Sequence, residues 1–306
     1  MPGTLKKISL SSDKNTFFHR RMQSLLPTLL VLVLVLGTLL LVLSRTVAAA
    51  PDSSSGDESE PESLATVLPA AHLLSKSLLA GTGVRVDYLP AKRYPVSRIR
   101  YWIDKKLSEA LPGLPSYRAV VETASIWPEG SVYANLRQRN IAVIPVDMAI
   151  QLKPDGARIS RAAGDSALDF FWLNPANLKV MVSILSEDFS RIWPEHQPLI
   201  HQNQQRALEQ IIGFALKLDD MLWQQGWDGV CSDDSALYPM LQSLSLPMLA
   251  EDKTDDLDGF RCLWIEEGKK ASAEPNLWVV NGLNRFESGS LADWLEVNLN
   301  KLQQVQ

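Results

Sequence analysis

Apolar residues recur along this chain in two registers, a helical period in a few long windows and short compact runs between turn residues. From Ser63, SLATVLPAAHLLSKSLLAGTG reads as a strand end that turns at Pro69 into a helix and stops at Gly81 to Gly83, before a short strand, VRVDYL. Val96, Ile99, Trp102, Ile103 and Leu107 keep a helical period through VSRIRYWIDKKLSEALP. RAVVETAS is then a buried strand ending near Ser125, VYANLRQRN a helix and IAVIPVD a further strand. Strand, helix, strand, helix, strand predicts a parallel sheet with helices packed on both faces. Residues 151–167 mix charge and glycine without a period and read as a surface loop.

In LDFFWLNPANLKVM, Asn174 and Pro175 read as an N-cap followed by a proline at the first helical position, so a helix starts there and runs to about Ile192, where Pro194 breaks it. A longer pattern follows from His196 to Trp223. Leu199, Ile200, Leu208, Ile211, Ile212, Ala215, Leu216, Leu222 and Trp223 are assigned to one apolar face, and the helix ends at Gly226. Beyond it the alternation restarts, with DGVCSD as strand, SALYPMLQSLS as helix, LPMLAE, FRCLWIEE and LWVVNG as strands and LADWLEVNLNKLQ as terminal helix. The predicted fold is α/β: two Rossmann-like lobes, residues 64–195 and 226–306, joined by a long linker helix, 196–225, with the ligand site in the cleft between lobes.

The N-terminus differs from this globular body. Leu25 to Ser44 is a run of about 20 uncharged residues, roughly 30 Å of helix, which matches a bilayer core. Lys6, Lys7, Lys14, Arg20 and Arg21 precede it against Asp13 alone, so residues 1–24 are expected to stay cytoplasmic and the bulk of the chain to lie across the inner membrane, extracytoplasmic. Val47 and Ala49 have the small-residue spacing of a signal-peptidase site, but the length of the apolar run favours an uncleaved single-pass anchor. Residues 45–63, acidic and serine-rich from Pro51 on, read as a solvated linker.

Beyond residue 50 the balance is 24 basic against 34 acidic residues, a charge of minus ten that disfavours nucleic-acid binding. Cys231 and Cys262 are the only cysteines; in an oxidising compartment they form one bridge, or they are two buried thiols on neighbouring strands. No Gly-x-Ser-x-Gly elbow, phosphate loop or His-Glu-x-x-His helix occurs, and adjacent Asp233 and Asp234 would point to opposite faces of a strand, so the chain is not read as an enzyme.

The Trp172-Leu-Asn-Pro175 tetrad, the break at Pro194 and Asn203 near the start of the long helix resemble the substrate-binding proteins of ABC importers for zinc and manganese, and the similarity extends more weakly over roughly residues 64–300. The resemblance implies two lobes on a rigid helix, an ABC permease and its ATPase as partners, no resident cofactor, and zinc or manganese as cargo. It also implies ligand positions, and this chain departs from most of them. The histidine two residues before the tetrad is Phe170 here, whose ring has no lone pair to give a metal. The first histidine position falls among Lys92, Arg93 and Tyr94, where cations would repel a bare ion. The third falls at Asp233 or Asp234, adequate metal ligands, and the fourth at Asn281, a weak neutral donor. The loop at 151–167 has no histidine; His196 and His201 read as surface residues and His72 as solvent-facing or helix-packing.

The expected cleft therefore contains Arg93, Tyr94, Trp127, Phe170, Trp172, Asp233, Asp234 and Asn281, a set suited to a metal complex or an anionic organic ligand. The function expected is that of a membrane-tethered binding component of an importer for a divalent metal or metal-related ligand. The alternative is an accessory or scaffold protein that keeps the fold without carrying cargo.

Overall fold

A computed structural model describes residues 62–150, 159, 168–249, 260–268, 270 and 274–305. The expected anchor at 25–44, the linker up to residue 61 and nearly all of the 151–167 loop lie outside the described residues. Among the described residues no helix is long and apolar enough to cross a membrane.

The first half is built on four parallel strands, β1 (Ser63–Thr66), β2 (Arg85–Tyr88), β3 (Ala119–Glu122) and β4 (Ile144–Asp147), in the order β2-β1-β3-β4. β1 and β3 are buried along their whole length, which is why SLAT and AVVE carry no polar alternation. Helix α1 (Pro69–Leu78) starts on proline and follows β1 directly. The region expected as one helix after Pro95 is instead α2 (Ile99–Lys105) and α3 (Leu107–Ala110), with a 3-10 turn before and after. The break falls at Lys106, whose φ of −127° leaves the helical range. VYANLRQRN forms only the single turn α4 (Tyr133–Leu136), because Asn140 bends the chain by accepting from Ala142 N and donating to Tyr117 O.

Helix α5 (Pro175–Ile192) has the expected cap: Asn174 Oδ1 accepts from Ala176 N at 2.8 Å and Asn177 N at 3.4 Å. Helix α6 (Gln197–Gln225) closes at Gly226, whose φ of 68° is a left-handed cap that favours glycine. Its buried face is Ile200, Asn203, Ala207, Ile211, Phe214, Leu218 and Leu222. The expected face is corrected here: Ile212, Leu216 and Trp223 are exposed, Trp223 at 87%. The polar Asn203 sits inside because Nδ2 donates to Leu78 O and Ala80 O, both at 2.9 Å, and so satisfies carbonyls at the end of α1 that no helical N–H reaches.

The second half has three parallel strands, β5 (Gly229–Cys231), β6 (Cys262–Glu267) and β7 (Leu277–Val280), in that order. Among the described residues, LPMLAE contributes only a bridge from Met248 to Val230, and SALYPMLQSLS only a 3-10 turn and α7 (Tyr238–Leu241). The terminal helix α8 (Leu291–Gln303) opens with a reciprocal cap between Ser290 and Asp293 and packs against α6. Cys231 and Cys262 are joined in a disulfide between β5 and β6.

Candidate functional site

Parallel strands point their carboxyl ends at one edge of a sheet, and the loops leaving that edge are where ligands bind in open α/β folds. In both halves those loops meet at a common seam, tied directly by hydrogen bonds. Phe170 N donates to Ala236 O (2.8 Å), Trp172 Nε1 to Gly282 O (2.8 Å), Asn174 Nδ2 to Pro239 O (2.9 Å), Val96 N to Asn284 O (2.8 Å), and Arg285 to the Arg93 carbonyl.

Within the seam lies a cavity of about 660 Å³, lined by Trp127, Glu129, Ser97, Arg100 and Phe170 on one side and Asp234 and Asn284 on the other. Trp127 is set there by the turn at Pro128–Gly130; a Cβ on Gly130 would lie 2.1 Å from the Trp127 ring, so only glycine lets the indole fold back. Asp234 caps the turn at Ser235, Oδ1 accepting from Ala236 N at 2.9 Å. Arg100 pairs with Asp104 at 2.9 Å, both half-exposed, whereas Glu129 and Asp234 have no ion pair among the described residues. A second hollow of about 490 Å³ adjoins at Asp234, lined also by Asp233, Glu266, Glu267 and Trp264. Its carboxylates make a negative field. Among the described residues, no three His, Cys, Asp or Glu side chains are grouped so as to hold a metal ion.

Of the expected cleft residues, Trp127, Phe170 and Asp234 come together in the larger cavity and Asp233 in the hollow beside it. The others do not line either space. Arg93 lies over the Tyr94 ring at 5.3 Å. Trp172 is fully buried between Phe170 and Phe171. Asn281 is buried and held by its own hydrogen bonds: its N–H donates to Asn298 Oδ1 (2.7 Å), Nδ2 to Glu287 Oε2 (2.8 Å), and Oδ1 accepts from Leu283 N (3.1 Å).

His72 is the residue whose expected role changes most. It is 6% exposed and lies at the seam between Tyr88 and Phe286, with ring centroids 6.0 and 5.0 Å away; Phe286 is 5.0 Å from Tyr88, and Lys92 Nζ stands 4.7 Å over the Phe286 ring. Burial, aided by Lys76, holds the imidazole down at about 4, so it is neutral at physiological pH. Burial likewise raises the Tyr88 phenol, which stays protonated. Arg100, on α2, and Glu129, Asn284 and Phe286, on turns and loops, carry no sequence signal of a site, since each meets its cavity or ring partners on other elements.

No protein-family model matches the chain, and no curated protein sequence matches it significantly. Among solved structures it is similar to the crystal structure of ZnuA, at 13% identity and a TM-score of 0.57 over 80% of this chain and 98% of that one. AdcAII of Streptococcus pneumoniae matches at 13% identity and a TM-score of 0.58, over 80% of this chain and 99% of its own. The metal-dependent lipoprotein YcdH of Bacillus subtilis matches at 10% and 0.54, over 80% and 98%. At such identities the likeness establishes a shared fold.

Proposed function

We propose that the chain is the extracytoplasmic, membrane-tethered substrate-binding component of an ABC-type importer, and that it carries a complexed metal or a metal-related small ligand rather than a bare ion. The observation that carries this reading is the 660 Å³ cavity at the carboxyl edges of two parallel sheets, where Trp127 and Phe170 face Asp234 and Asn284. A bare divalent ion needs several donor atoms converging at about 2.0–2.6 Å. Here two carboxylates without an ion pair among the described residues, one arginine and two rings suit a charged complex with an organic shell. Residues 25–44 supply the tether in this reading, and an ABC permease with its ATPase receives the cargo when the halves part around α6.

Native mass spectrometry with metal analysis of the full-length chain from its own cell envelope tests this. A small ligand is expected to accompany the wild type and to be absent from an F170A/D234A variant; an identical, empty spectrum for both would count against the reading. The hydrogen bonds that tie the two halves directly to each other across the seam favour a second reading, an accessory protein that holds the fold and contacts the permease without cargo. In that case the chain still stimulates the importer's ATPase, and the F170A/D234A variant stimulates it equally.

A further inference from the structure

The loop after β7 is a clasp. Asn281 Nδ2 closes it onto Glu287 Oε2 at 2.8 Å, and Leu283, buried, is held at a φ of +52°, a left-handed conformation that non-glycine residues rarely adopt. Gly282 inside the clasp accepts no side chain, because a Cβ there would lie 2.8 Å from Glu267 Cγ. What this braced loop delivers is one ring: Phe286, packed against both His72 and Tyr88, which also touch each other edge-on, with Lys92 over its face.

The walls of that socket carry polar capacity a phenyl ring leaves unused. Thr66 Oγ1 spends its single proton on Asp87 O at 2.8 Å, so toward His72 Nδ1, 3.3 Å away, it accepts. The imidazole proton is therefore on Nδ1, and Nε2 keeps a free lone pair with no partner among the described residues. The Tyr88 hydroxyl is shut off from solvent and has no hydrogen-bond partner among the described residues. The ammonium of Lys92, an exposed residue, has no ion pair among the described residues and stands over the Phe286 ring face. A buried hydroxyl left unpaired is destabilising, and folds rarely keep one without a use for it.

We propose that this socket is a ligand site in which Phe286 stands in for a planar aromatic acid bearing a hydroxyl group, of the hydroxybenzoate type. The ligand's ring takes the place of the Phe286 ring against His72 and Tyr88. Its anionic oxygens pair with Lys92 and accept from Tyr88, and its hydroxyl donates to His72 Nε2. Phe286 then competes with the ligand for the socket, and the clasp sets how strongly. The site is separate from the 660 Å³ cavity, which Phe286, His72 and Tyr88 do not line, and the inference does not rest on the importer reading.

Calorimetry on the full-length chain tests it with 2-hydroxybenzoate as probe and benzyl alcohol as the uncharged control. Phe286→Ala is expected to bind 2-hydroxybenzoate at least tenfold more tightly than the wild type, with less than a twofold gain for benzyl alcohol, and adding Lys92→Met should remove the gain. Equal affinity of wild type and F286A for the acid, or equal gains for acid and alcohol, overturns the proposal, the latter marking a greasy hole only. Should F286A fail to fold, the wild-type chain still decides: saturating 2-hydroxybenzoate must shift the His72 ring resonances in the NMR spectrum, and unmoved resonances overturn the proposal. Neither readout involves a permease, so loss of importer activity would leave this result intact.

Discussion

The disulfide between Cys231 and Cys262 bears on both stability and location. It closes a segment of sequence separation 31, and in the chain-entropy view a loop of that length is worth about 3.7 kcal/mol. Both cysteines are buried, at 1% and 8% exposure, on adjacent parallel strands, so a Cys231→Ala/Cys262→Ala pair removes the cross-link without burying a new polar group. For a folded body of this size one kcal/mol moves the melting temperature by about 2–4 °C, so the double variant should melt roughly 7–15 °C lower. The assay is thermal unfolding followed by circular dichroism at 222 nm, for wild type with and without reductant and for the double variant. The reduced wild type should approach the variant. A shift below about 2 °C would refute the energetic argument. Thiol alkylation of protein from the native envelope adds the compartment: both sulfurs should be blocked before reduction, because such bonds persist where the medium oxidises. Free thiols there would sink the extracytoplasmic reading outright.

Three more outcomes follow from particular contacts. Asn174→Ala removes the cap of α5 and the Nδ2 bond to Pro239 across the seam, so urea unfolding should show a loss of about 2–3 kcal/mol, while Asn174→Asp keeps the cap and recovers part of it. His72 is held at about 4 against an ordinary 6.5, with Lys76 and Lys92 lowering it and Asp87 opposing them beside Tyr88 and Phe286. Between those values the unfolded chain binds the proton and the folded one does not, so stability should fall by roughly 3 kcal/mol as pH drops from about 6.5 to 4. His72→Phe should flatten that slope, and an unchanged slope in unfolding titrations across this range would remove His72 as its source. Phe170→His places an imidazole on the cavity wall beside Asp234 and should raise zinc affinity at least tenfold by calorimetry; no gain would mean that Phe170 does not stand where the resembling importer proteins place a ligand.

What the sequence determined by itself was whatever depends on nearest neighbours along the chain. Asn174 and Pro175 start α5, Gly226 ends α6, and Ser290 with Asp293 caps α8, because each cap is a bond between residues at most three apart. The buried runs SLAT and AVVE announced parallel strands for a similar reason, since a strand covered on both faces has no polar side to show. Where the chain was misread, the deciding partner lay far away in sequence. Which side of α6 is inside was set by α1, α5 and α8, so Asn203 went in to meet the carbonyls of Leu78 and Ala80 while Trp223 was left in water. Trp172 and Asn281 were expected to line the cleft, yet their polar atoms are taken up by Gly282, across the seam, and by Asn298 of α8. Only tertiary structure decided that His72 and Phe286, more than two hundred residues apart, would share a socket. A periodic pattern shows that a face must be covered, but the atom that covers it is chosen by packing in three dimensions.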